Sequence, residues 1–99
     1  MPYIKKYKRM TLEEDLVETG RRIEVKGDLT YCAYKLAYDR INRVGKNYRN
    51  ITESISALED AASELRRRVL NPYEDSKIRE NGDIVWQGNK QNQQLLNQQ

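Results

Sequence analysis

The sequence predicts an all-α fold: a small antiparallel three-helix bundle with a basic N-terminal arm, a short post-proline helix and a flexible Gln/Asn-rich tail. Three observations predict it. Apolar residues recur at spacings of three and four in three successive stretches. Capping and stopping residues separate those stretches. The chain has 99 residues, of which only 37% are hydrophobic and 33% charged. That is one small domain with a thin core, below the roughly 45–50% apolar content of ordinary globular chains. Association between copies is the expected way to complete such a core.

The organisation read along the chain is a basic arm over 1–10, a helical bundle domain over 11–82, and an extended segment with a polar tail over 83–99. In the arm, Tyr3 and Tyr7 alternate with Lys5, Lys6, Lys8 and Arg9, without one acid. Thr11-Leu12-Glu13-Glu14 reads as a capping box. Leu12, Leu16, Thr19 and Ile23 then predict a first helix over about 12–25, with acids in its first turn and Arg21 and Arg22 near its end. Lys26-Gly27-Asp28 is read as a stop and restart, with Asp28 as the next N-cap.

The second helix carries the widest apolar stripe, from Leu29 through Cys32, Leu36 and Ile41 to Val44, and Gly45 suits its C-terminal cap. Asn50 is read as the cap of a third helix. There Ile51, Ile55, Leu58, Ala62, Leu65 and Val69 form a heptad-like seam, which an antiparallel bundle explains. Asn71-Pro72 is expected to end or sharply kink that helix. A short further helix over 73–81 is closed by Gly82, and Asp83-Ile84-Val85-Trp86 reads as extended. Eight of the last twelve residues are Asn or Gln, the composition of a flexible or partner-ordered tail.

Composition narrows the function. The chain has no His and one Cys, Cys32, which removes the usual general base, the commonest metal ligand and any internal disulfide. Neither a calcium-loop pattern nor a bilayer-length apolar run is present. No enzyme activity, no cofactor, no metal and a cytoplasmic location are the expectations. The acidic group Glu74, Asp75, Glu80 and Asp83 has no predictable concave scaffold around it.

Two groups make the best candidate ligand site. Tyr31, Tyr34 and Tyr38 share a helical face, with Lys35 close by. Such tyrosines suit a bundle edge or an oligomer interface first, and a stacking platform for a base second. The run 40–49 holds Arg40, Arg43, Lys46 and Arg49 with no acid. Beside a helix N-terminus these could hold a phosphate, or simply balance Glu59, Asp60 and Glu64. The ligand-binding candidates are therefore Tyr31, Tyr34, Lys35, Tyr38, Arg43, Lys46 and Arg49. Tyr3, Lys5, Lys6, Lys8 and Arg9 form a candidate arm for nucleic acid or a protein partner. Net charge is only +3 and no helix-turn-helix is visible, so duplex DNA is not expected. Arg66, Arg67 and Arg68 point to different helix faces and read as structural.

Three blocks, Met1-Pro2-Tyr3-Ile4, Gly27-Asp28-Leu29-Thr30-Tyr31 and the run from Asn71-Pro72-Tyr73-Glu74-Asp75 to Glu80-Asn81-Gly82-Asp83, resemble a family of small uncharacterised proteins of phages and some bacteria. The resemblance covers about residues 1–85. The chain departs from that family at Ser63-Glu64-Leu65-Arg66-Arg67, where an aromatic usually precedes the two arginines, and in its extension from Trp86 onward. The resemblance implies a phage setting and a helical fold, and no site. In that setting the expected function is homo-oligomeric binding that sequesters a small anionic ligand, such as a nucleotide immune signal of the host, in counter-defence. The alternative is a structural or host-protein-binding accessory protein, or a virion component, acting through a helical interface.

Overall fold

The structure, a computed structural model, describes residues 4–84. They form α1 (Lys6–Gly20), α2 (Lys26–Val44), α3 (Tyr48–Leu65), a π-helical turn (Arg66–Leu70) and α4 (Asn71–Asn81), with no strand among the described residues. The fold is all-α. Tyr3, Trp86 and the Gln/Asn-rich tail lie outside the described residues. Two compact units divide the chain, Met1–Glu64 and Leu65–Gln99.

In the first unit, α1 starts earlier and ends earlier than its apolar spacing predicts. Thr11 is not an N-cap: its hydroxyl donates to the Tyr7 carbonyl at 2.9 Å, one turn back inside the helix. Lys6, Lys8, Arg9 and Met10 are good helix formers, so the segment read as an extended arm is helical from Lys6 onward. The helix ends at Gly20, where the Arg22 and Ile23 amides close short turns onto the Thr19 and Gly20 carbonyls.

Asp28 does cap α2, from a different position. The helix begins at Lys26, with extended Val25 before it. The Asp28 carboxylate reaches back to accept the Glu24 amide at 3.1 Å and the Val25 amide at 3.2 Å. Those two amides hold its pKa below the ordinary carboxylate value.

The turn between α2 and α3 is held by two asparagines. Gly45 has φ 127° and donates its amide to the Ile41 carbonyl at 2.9 Å. Asn50, read as the cap of the third helix, instead donates its side-chain amide to the Val44 and Gly45 carbonyls at 3.3 and 3.0 Å. The N-terminal cap of α3 is Asn47, whose side-chain oxygen accepts the Asn50 amide at 2.9 Å. A Cβ at Gly45 would sit 3.3 Å from the Asn50 amide nitrogen, on a backbone that L side chains rarely adopt. Gly45→Ala is therefore expected to destabilise the fold by more than about 1 kcal/mol, and Gly27→Ala to stabilise it by about 0.4–1 kcal/mol. Gly27 lies inside α2 with nothing within 4 Å of its would-be Cβ. Thermal unfolding followed by circular dichroism checks the pair; similar shifts for both would remove the strain argument.

In the second unit the helical path continues through Asn71-Pro72, the expected end or sharp kink of the third helix. The backbone passes into Arg66–Leu70 as a π-helical turn, in which the Asn71 amide donates five residues back to the Arg66 carbonyl. Proline offers no amide to the Arg68 carbonyl, and a wider turn makes room for its ring. Pro72 thereby stands in the first turn of α4. That helix is the predicted post-proline helix. Gly82 closes it at φ 84°, its amide on the Ile78 carbonyl at 2.8 Å.

Candidate functional site

Helix α2 runs between two neighbours and shows each a different face. Toward α1 it presents Tyr31, Cys32, Lys35 and Leu36, which with Leu16 and Thr19 line an open cleft of about 240 Å³. Toward α3 it presents Tyr34, Ala37, Tyr38 and Ile41. From α3, Ile51, Ile55 and Leu58 complete a cleft of about 290 Å³, with Ser54 at its base and Lys46 at the turn. The lining of this second cleft is symmetric about Lys46. Tyr34 and Leu58, Ala37 and Ile55, Tyr38 and Ser54, Ile41 and Ile51 are each equally far from it in sequence. Two antiparallel helices joined at that turn produce such a lining.

The tyrosine ridge is thus divided. Tyr34 and Tyr38 lie in the α2–α3 cleft and stack on each other, centroids 5.9 Å apart at 8°. Tyr31 lines the other cleft. The apolar periodicity of α2 alone could not show this, because one wide stripe serves two neighbours.

The basic run is divided as well. Arg40 crosses from α2 to α3: it donates to Ser54 Oγ at 2.9 Å, to the Asn50 carbonyl at 3.4 Å and to Glu53 Oε1 at 3.1 Å. Ser54 is the one buried residue among those described, 2% exposed, and its hydroxyl donates to the Asn50 carbonyl at 2.9 Å. Arg49 pairs with the other Glu53 oxygen at 3.2 Å. The guanidinium groups of Arg40 and then Arg49 hold the Glu53 carboxyl below its ordinary pKa. Lys35 pairs with Asp39 at 3.2 Å, which raises its pKa. Two cations of the predicted site, Arg43 and Lys46, have no ion-pair partner among the described residues, and only Lys46 lines the cleft.

The arm residues Lys5, Lys6, Lys8 and Arg9 are all exposed, and Arg9 donates to the Ile4 carbonyl at 3.4 Å. In the second unit Lys77 pairs with Glu80 at 3.3 Å and lies 5.6 Å from the Tyr73 ring centroid. No group of three or more His, Cys, Asp or Glu among the described residues is placed to hold a metal ion. No described helix is long and apolar enough to cross a membrane.

The clearest property of the site is what it leaves uncovered. No hydrophobic residue among those described is buried. Tyr34, Ile55 and Leu58 in the cleft are 62%, 49% and 40% exposed. The cleft can take up an apolar surface or a flat ring. Its single free charge is the Lys46 ammonium.

A family model described as "Domain of unknown function (DUF6899)" matches residues 1–84. No curated protein and no solved structure matches the chain.

Proposed function

The chain belongs to this family of unknown function, and we propose that it is a non-enzymatic interaction protein whose α2–α3 cleft is covered by a protein partner. One observation carries the reading: an apolar cleft stands open in a chain that buries no hydrophobic residue among those described. Covering apolar surface is the dominant gain in association, and exposed contiguous apolar surface marks interaction sites. The phage setting that its motifs imply gives such a protein three kinds of partner: a host protein, a virion protein or a copy of itself, met in the host cytoplasm.

The test is a photo-crosslinking amino acid placed at Ile55, with a second placed at exposed Glu13 on α1 as the control. The Ile55 probe is expected to capture protein in cells expressing the full chain, and the Glu13 probe much less. An Ile55 probe that labels no protein overturns the reading.

A second reading rests on a different observation. The stacked pair Tyr34 and Tyr38 shares the cleft with the free Lys46 ammonium, an arrangement suited to an aromatic anion such as a nucleotide signal. A stabilising thermal shift with one member of a cyclic-nucleotide panel would favour sequestration over protein binding.

A further inference from the structure

We infer that the occupant of the α2–α3 cleft is a second copy of this chain, docked antiparallel, with the Lys46 end of each hairpin against the Glu59 end of the other. This rests on the reading of the cleft as a protein interface and names its partner and orientation. The argument is charge segregation along one element. From residue 40 to 49, at the turn, there are four cations and no acid: Arg40, Arg43, Lys46 and Arg49. From residue 50 to 65 there is no cation, and Glu59, Asp60 and Glu64 follow the internally paired Glu53. Among the described residues Arg43, Lys46, Glu59 and Asp60 make no ion pair, so their charges are open to a partner.

Glu59 follows Leu58 directly and stands one helical turn beyond Ile55, which places it on the rim of the apolar lining. Thirteen residues separate Lys46 from Glu59, about 20 Å along the hairpin. A two-fold axis through the middle of the cleft exchanges those two ends. Two copies related by it bring apolar lining onto apolar lining and each Lys46 to the partner's Glu59. A parallel arrangement would set cations on cations and acids on acids. The surface is therefore complementary to itself in one orientation only, and the open cleft of the single chain is half of that interface.

Sedimentation equilibrium of the full chain is expected to show a dimer that weakens with salt. Lys46→Glu and Glu59→Lys are each expected to raise the dimer Kd about tenfold, because each replaces two symmetric attractive pairs by repulsive ones. Mixing the two single variants, or joining them in one chain, restores opposite charges at both contacts and is expected to restore the Kd. Neither residue holds the fold, since neither makes an internal ion pair. A dimer indifferent to both reversals overturns the antiparallel docking while leaving the cleft as a protein interface. A chain that stays monomeric at every concentration, with the Ile55 probe labelling another protein, overturns the second copy as occupant. An unlabelled Ile55 probe overturns the interface reading itself.

Discussion

Replacing Arg40 by Ala is expected to open the α2–α3 hairpin and to lower the midpoint of thermal unfolding by on the order of 10 °C. Arg40 is the residue that joins the two helices at their closest polar contact. One guanidinium nitrogen serves Ser54 Oγ and the Asn50 carbonyl, and the other serves Glu53. Without it, the Ser54 hydroxyl keeps its bond to Asn50 and loses its only donor, at a position 2% exposed. Hydrogen bonds to charged groups contribute about 1.5–3 kcal/mol, and a buried acceptor left unserved adds to the cost. Arg40→Lys should recover only part, because an ammonium cannot reach in two directions with a planar fork. Arg49→Ala should change little: its side chain is 85% exposed and its one ion pair among the described residues is with Glu53.

Acidification tests the same clamp from the other side. The Glu53 pKa is lowered in the folded chain, so its contribution is present above the ordinary carboxylate value. It is lost as pH falls through the lowered folded-state value. In Glu53→Gln that loss should vanish, and the acid limb of the stability profile should flatten. An acid limb unchanged by Glu53→Gln would show that the clamp's carboxylate carries no weight.

Which parts of this arrangement were legible in the sequence follows from how local their causes are. The stop at Gly45 is a one-residue backbone requirement, and the structure places it at the predicted position. The third-helix seam of Ile51, Ile55 and Leu58 is a spacing property and lines the cleft together. The side chain of Asn50 is a cap, but for the helix before it rather than its own. Two asparagines three residues apart offer the same chemistry, and only the path of the turn decides which serves which end. Thr11 shows the same ambiguity, since its hydroxyl bonds the Tyr7 carbonyl as readily as it would cap a helix.

The site was less legible because its decisive contact is not local. The residues of the basic run were visible as charges, but their partner is Glu53, thirteen residues from Arg40 across the turn. No periodicity announces that one acid draws off two of the four cations and leaves Lys46 at the cleft. The division of Tyr31 from Tyr34 and Tyr38 is equally invisible, because it depends on where α1 and α3 meet α2. Pro72 marks an irregularity rather than an end. Its local cost is real, but a π-helical turn relieves it at the price of one irregular register.

Ile55→Asp is expected to have a core-like effect at a residue that is 49% exposed in the single chain. An exposed aliphatic side chain ordinarily tolerates a polar replacement within about ±0.5 kcal/mol. Ile55 lies in the cleft, one turn from Ile51 and beside Leu58. If the cleft is covered in the assembly, each copy loses the burial of the exposed half of a large aliphatic side chain, about 0.8–1.5 kcal/mol, and places a carboxylate in an apolar contact. Two copies contribute to one interface, so association should weaken by at least about a hundredfold. Because assembled chains gain stability by mass action, the midpoint of unfolding should also lose its dependence on concentration. Leu29→Asp is the control: Leu29 is more exposed, at 55%, and lines neither of the two clefts. Equal effects at the two positions would mean that apolar content, rather than this cleft, drives association. An Ile55→Asp chain that associates as the unaltered one does would leave the cleft without a role.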